Sequence, residues 1–274
     1  MKDQYAVFGN PIAQSKSPVI HHMFAAQTKQ ILEYRAYLVE IDGFNEAAQD
    51  FLAAGGLGLN ITVPFKVDAF KFSQQVSPAA TLAGAVNTLS FRNDTIVGDN
   101  TDGVGMVRDI VEGCGWELKG KRVLMLGAGG AAAGVLHPLL QERPATLVIA
   151  NRTLAKAQHL LEKASSSNSV SELCATTLEE LNTPFDVIIN ASSAGLAGEP
   201  PQISEAVIQP ATFCYDMVYG PQQTPFLKWA QKHGASELSD GLGMLVEQAA
   251  ESFYIWRGVR PKTSAVLQTL RSQL

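Results

Sequence analysis

Short apolar runs alternate with amphipathic stretches along this chain. Tyr5-Ala6-Val7-Phe8 predicts a first strand, closed by Gly9-Asn10-Pro11. Ser17-Pro18 predicts a helix start, with Ser as the cap and Pro at the first helical position. Val19, Ile20, Met23 and Phe24 then supply its apolar face. The same reading gives a strand from Tyr34 to Val39 and a helix from Phe44 to Ala54, stopped by Gly55-Gly56. A third strand runs from Leu57 to Thr62. Ala85 to Phe91 and Thr95 to Gly98 pair as a hairpin about Asn93-Asp94. Thr101-Asp102-Gly103 opens a helix to about Val111. Further strands follow at Val123–Leu126, Ala145–Ala150, Phe185–Asn190 and Thr212–Tyr215. Helices run from Thr224-Pro225 to Gly234, from Gly241 to Arg257 and from Ser264 to Gln273, and Ser165 to Ser169 is a polar loop. Strands alternating with helices are the α/β signature, and no internal repeat interrupts it.

One stretch names a ligand class. The strand Val123–Leu126 feeds directly into Gly127-Ala128-Gly129-Gly130-Ala131-Ala132, and a helical segment follows. A strand entering a Gly-x-Gly-x-x-Gly/Ala turn lets a pyrophosphate sit on a helix N-terminus, held by backbone N–H groups and the helix dipole. About twenty residues further on, where NAD-binding chains place an acidic residue on the ribose, this chain has Asn151-Arg152-Thr153. A guanidinium matches a 2′-phosphate, because its planar fork pairs with phosphate oxygens. The expected cofactor is therefore NADP(H).

Composition narrows the remaining possibilities. With 21 basic and 26 acidic residues the net charge is -5, which withholds the basic footprint that nucleic acid requires. The hydrophobic share of 46% in 274 residues supports a substantial core in one large or two medium domains. Cys114, Cys174 and Cys214 have neither C-x-x-C nor metal spacing and are expected as buried or partly buried thiols in a reducing compartment. No metal is expected. The N-terminus enters a strand, and the Gly-rich stretch is short and broken by Gly and Pro138. The expectation is a cytoplasmic protein with no membrane or nucleic-acid partner and a small-molecule substrate. It is expected to be a monomer, with a homodimer as the alternative.

Three polar segments lie where open α/β sheets bind ligands, at the carboxyl ends of strands. In Asn10–Ser17, Ser15 and Ser17 stand near a helix N-terminus and suit a carboxylate; alternatively Ser17 is only a cap. In Asn60–Lys66, the lysine is a candidate acid/base or a solvated surface residue. The segments Ala83–Thr88 and Gly98–Gly103 bring Asn87 and Asp102, each of which has a purely structural alternative. Together, Lys66, Asn87 and Asp102 end successive elements of one sheet.

These segments resemble the shikimate dehydrogenase family. The likeness runs from Tyr5 to Trp256. It is strongest in Ser15-Lys16-Ser17-Pro18, Asn60–Lys66, Gly84–Thr88, Gly98–Gly103 and Asp240–Gln248. The resemblance implies NADPH-dependent, reversible reduction of 3-dehydroshikimate to shikimate by hydride transfer, on the chorismate route to aromatic amino acids. It implies that Ser15 and Ser17 bind the substrate carboxylate. Thr62, Asn87, Asp102 and Gln248 would hold ring hydroxyls, with Asn60 and Tyr219 nearby, and Lys66 and Asp102 would form the catalytic pair. Gly127, Ala128, Gly129, Gly130 and Ala131 would carry the pyrophosphate. Asn151, Arg152 and Thr153 would take the 2′-phosphate, with Lys156 where the family often has a second arginine. Met217 and Gly241 would line the nicotinamide pocket, and Ser192 stands where the family has threonine.

The expected architecture is α/β in two domains facing across a cleft, an N-terminal substrate domain and a Rossmann-type NADP-binding domain. Residues 1–101 with 241–274 form the first, the C-terminal helices returning to it, and residues 102–240 the second. Hinges are expected near Thr101-Asp102 and Ser239–Gly241. An NAD-dependent quinate/shikimate enzyme is disfavoured by Arg152. A catalytically inactive nucleotide-binding regulator is disfavoured by the presence of both Lys66 and Asp102.

Overall fold

The computed structural model describes residues 2–92, 95–165, 172–192 and 198–274. The chain forms two compact units, Met1–Gly105 with Val246–Gln273, and Met106–Leu245.

The first unit begins with β1 (Asp3–Gly9), α1 (Ser17–Thr28), β2 (Leu32–Leu38), α2 (Phe44–Ala53) and β3 (Gly56–Ile61). It continues with α3 (Lys66–Phe72), β4 (Gln75–Val76), α4 (Pro78–Ala83), β5 (Thr88–Arg92) and β6 (Thr95–Asp99), and reaches α5 (Asp102–Arg108). Its sheet has the order β2-β1-β3-β5-β6-β4. The β1–β2 and β1–β3 pairs are parallel, whereas β5 is antiparallel to both β3 and β6. Alternation along β1 divides the core between two faces. Ala6 and Phe8 pack with Phe44, Leu59, Ile61 and Phe65 on one face, while Tyr5 stacks on Trp256.

In the second unit a π-helical turn, Asp109–Gly113, extends α5. There follow β7 (Arg122–Leu126), α6 (Gly130–Gln141), β8 (Thr146–Ala150), α7 (Leu154–Ser165), β9 (Glu172–Thr176), β10 (Val187–Asn190), a 3-10 turn at Glu205–Val207, β11 (Phe213–Asp216), α8 (Pro225–Lys232) and β12 (Glu237–Asp240). All neighbouring strands of the sheet β12-β11-β10-β7-β8-β9 are parallel. Last come α9 (Leu242–Arg257) and α10 (Ser264–Arg271).

Several local expectations are corrected. Ser17 is not a cap but the first helical residue and is buried; Lys16 takes the cap position with no side-chain hydrogen bond. The α-helix of α5 ends at Arg108, and the π-turn carries the chain on to Gly113. Cys174 is exposed, because β9 is an edge strand. The turn at Asn93-Asp94 and residues 166–169 of the polar loop lie outside the described residues.

Beneath the first sheet, His21 is fully buried and stacks flat on Tyr34, with ring centroids 4.2 Å apart. Neither ring nitrogen has a hydrogen-bond partner among the described residues. Burial pushes its pKa down to about 3. An unfolded chain takes up that proton near pH 6.5. Between these values the unfolded state therefore binds more protons, and stability falls as pH drops below about 6.5 towards 3. The urea midpoint of the wild type should fall from pH 7 to pH 4 more steeply than that of His21→Leu. Parallel declines in the two proteins would locate the proton uptake elsewhere.

Candidate active site

In the first unit, β3 ends at Ile61 and the chain turns through Thr62–Phe65 into α3. Phe65 anchors this turn in the core at 1% exposure and donates its N–H to the Thr62 carbonyl at 3.1 Å. The peptide bonds before Pro11 and Pro64 are both cis. Lys66, the first residue of α3, donates from Nζ to Oδ2 of Asp102 at 2.6 Å. Asn87 Nδ2 donates to the other carboxylate oxygen at 2.8 Å. Asp102 thus stands between an ammonium and an amide, with its own N–H bonded to Asn100 Oδ1 at 3.2 Å.

The amide of Asn87 has a fixed orientation. Its Oδ1 accepts from the Thr101 N–H at 2.9 Å and from the Thr88 hydroxyl at 2.9 Å. Its NH2 group must then face Asp102, and it also approaches Gln248 Oε1 at 3.4 Å. Gln248 reaches this position because α9 lies against α5 at Gly105. A Cβ there would sit 2.6 Å from the Gln248 backbone nitrogen, so glycine permits the approach.

Hydrogen bonds therefore join Lys66, Asp102, Asn87 and Gln248. Ser15 and Ser17 form a separate pair, with the Ser17 N–H donating to Ser15 Oγ at 3.3 Å. Thr62 lies against Gly9, whose Cβ would come within 2.4 Å of Thr62 Cγ2. Asn60 is committed inside the protein. It accepts from the Tyr34 hydroxyl at 2.7 Å and donates to Ser252 Oγ at 2.9 Å and Thr88 Oγ1 at 3.2 Å. Thr88, Thr101 and Ser252 are polar, buried and part of this network, and the sequence reading passed over all three. One signal for Ser252 was available: it lies one helical turn beyond Gln248, on a helix otherwise apolar at Ala249, Ala250 and Phe253.

In the second unit, register explains why distant residues converge. Leu126 pairs with Ala150 and with Asn190; Asn190 pairs with Asp216, and Asp216 with Asp240. These five residues form one row at the carboxyl edge of the sheet. Gly127, Asn151, Ala191, Met217 and Gly241 are the next residues along, so the expected cofactor residues stand on a common edge. Tyr219 also belongs to this unit, two residues beyond Met217, and burial raises its pKa, with the Asp240 charge adding to the effect.

The edge suits a dinucleotide. Gly127 has φ +102°, and a Cβ on it would press within 3.1 Å of the Ala191 and Ser192 backbone. Beside Gly129 and Gly130, a Cβ would meet nothing within 4 Å, which leaves room for a ligand against the first turn of α6. Arg152, Thr153 and Lys156 are exposed just past β8, and Asn151 Nδ2 holds the Thr153 carbonyl at 2.9 Å. Ser192 donates from Oγ to Asn190 Oδ1 at 2.7 Å. Gly241 lies so close to Met217 that a Cβ would fall 2.2 Å from its carbonyl oxygen.

Comparisons with known proteins identify the family. The family model for the shikimate dehydrogenase substrate binding domain matches residues 7–89. The model for shikimate / quinate 5-dehydrogenase matches residues 107–207, and that for the shikimate 5'-dehydrogenase C-terminal domain matches residues 241–271. The shikimate dehydrogenase (NADP(+)) of Alkalilimnicola ehrlichii is 54% identical over 273 residues, covering 100% of both chains. Among solved structures, an Ael1 enzyme from Pseudomonas putida superposes with a TM-score of 0.94 at 45% identity, covering 98% of each chain. The shikimate 5-dehydrogenase of Thermus thermophilus, in complex with NADP(H) and shikimate, superposes at 0.86 with 29% identity over 99% of this chain and 100% of its own. With full-length relatives above half identity and all three family models in order along it, the chain belongs to the shikimate dehydrogenase family.

Proposed function

We propose that this protein catalyses the reversible, NADPH-dependent reduction of 3-dehydroshikimate to shikimate, as a cytoplasmic step towards chorismate and the aromatic amino acids. The observation that carries the chemistry is the hydrogen-bonded set Lys66–Asp102–Asn87. Bound at the glycine edge, NADPH supplies the hydride. Reduction leaves negative charge on the former carbonyl oxygen. Lys66 as ammonium stabilises that charge and donates a proton to it; in the oxidative direction, neutral Lys66 accepts the hydroxyl proton. Asp102 fixes the lysine and offers its carboxylate to the same hydroxyl, so the pair handles the proton as one unit.

Around this pair, Ser15 and Ser17 hold the substrate carboxylate, while Thr62, Asn87 and Gln248 hold ring hydroxyls. Asn60 acts from behind, supporting Asn87 and Thr88. The backbone from Gly127 to Ala131 takes the pyrophosphate. Asn151, Arg152 and Thr153 take the 2′-phosphate, and Lys156 adds charge without a bidentate fork. Ser192, Met217 and Gly241 line the nicotinamide side. The protein works as a monomer on small molecules, and no described helix is long and apolar enough to cross a membrane.

Purified protein mixed with shikimate and NADP+ should generate reduced nicotinamide absorbance. No rise in absorbance overturns the proposal. Arg152→Ala should raise KM for NADP+ by about ten- to a hundredfold, since hydrogen bonds to charged groups contribute roughly 1.5–3 kcal/mol. KM for NAD+ should stay nearly constant. Equal increases for both cofactors would give Arg152 a role in the loop and none in phosphate selection.

A further inference from the structure

Asp216 ends β11 and is completely buried. A carboxylate removed from water has to be compensated, and this one is met by three donors from three segments. Asn190 Nδ2 and the Val218 N–H each donate to Oδ1 at 3.1 Å, and the Thr224 hydroxyl donates to Oδ2 at 2.5 Å. Each bond fixes something further out. With its NH2 on the carboxylate, Asn190 must turn Oδ1 outward, where it accepts from the Ser192 N–H at 3.2 Å and the Ser192 hydroxyl at 2.7 Å. The Ala191-Ser192 backbone is what Gly127 packs against. Val218 carries the Met217–Tyr219 turn, and its carbonyl accepts from the Gly241 N–H at 3.2 Å. Thr224 accepts from the Leu227 N–H at 3.3 Å and so caps α8.

We propose that Asp216 is a positioning residue for the nicotinamide cofactor, holding the Ala191-Ser192 backbone and the Met217–Tyr219 turn in the arrangement that binds NADP(H). The proposal rests on reading this unit as the NADP(H) site and deepens it. Asp216 does not reach the ligand; it acts through Asn190 and Val218. A neutral scaffold would serve less well. Asn190 and the Val218 N–H meet an ionised acceptor, and such charge-assisted bonds are about twice as strong as those between neutral groups. An asparagine at 216 turns its NH2 to Thr224 and its oxygen to Asn190 and the Val218 N–H, so the direction is kept but the charge that holds both donors in place is lost.

The test is Asp216→Asn, which preserves shape. The Thr224 hydroxyl can accept from the new NH2, so the α8 cap persists. Binding of NADPH is followed by its fluorescence, with far-UV circular dichroism as the control for folding. The expected result is a dissociation constant for NADPH raised about tenfold, with KM for shikimate at saturating NADP+ changed less than twofold. A purely structural residue would lower the melting temperature and leave this split between the two ligands absent. Ser192→Ala gives a second measure that does not disturb the buried carboxylate. It should weaken NADPH binding by itself, and its effect should not add to that of Asp216→Asn, because both act along one chain of bonds. NADPH affinity unchanged in folded Asp216→Asn overturns the role of Asp216, as does unchanged affinity in Ser192→Ala should the first variant fail to fold. Wild-type protein that binds no NADPH overturns the cofactor reading itself, and the inference with it.

Discussion

Lys66→Ala should lower kcat by about 10²–10⁴, the usual contribution of a positioned general acid or base, and leave KM for shikimate nearly unchanged. The reasoning is geometric. Nζ is held at 2.6 Å by Asp102, so the protein itself positions the ammonium. Its charge matters most when the carbonyl oxygen becomes an alkoxide, so its removal affects the transition state more than the bound ground state. Initial rates over a matrix of shikimate and NADP+ concentrations decide the point. A raised KM with kcat intact would make Lys66 a binding residue only.

Asp102→Asn should reduce kcat by roughly 10²-fold or more, on the same acid–base scale, and should raise KM for shikimate as well. The substitution is isosteric yet cannot satisfy its neighbours. An amide oxygen can face Lys66 or Asn87, but not both, and its NH2 then meets a donor. Asn87 cannot turn to relieve this, because Thr101 and Thr88 hold its oxygen. The double variant Lys66→Ala/Asp102→Asn should be little worse than the poorer single one, as expected for residues that act as a unit. Full additivity of the two losses would mean that the residues work independently.

Much of this was readable in the chain, for identifiable reasons. Buried parallel strands such as Val123–Leu126 and Phe185–Asn190 appear as apolar runs because both faces are covered. The glycine turn was legible because its conformation restricts the residue type at Gly127. The edge strands β9 and β12 were not. Glu172–Thr176 and Glu237–Asp240 are short and only partly covered, and they are defined by backbone pairing with β8 and β11, which side-chain pattern does not encode. At the site, residues with obvious chemistry were found and their supports were not. Thr101, Ser252 and Asp216 matter through what they hold, and a side chain that works by holding another leaves no spacing signature of its own.

Hydrogen bonds tie Lys66, Asp102, Asn87 and Gln248 together wholly within the first unit, while Arg152 stands on a strand tip of the second. With the roles proposed for these residues, coenzyme preference and proton transfer are heritable separately. Substitutions accumulating at positions 151–156 can retune the choice between phosphorylated and unphosphorylated dinucleotide with no hydrogen bond of the acid–base set at stake. A lineage can adapt to its nicotinamide supply while its carbonyl chemistry stays the same.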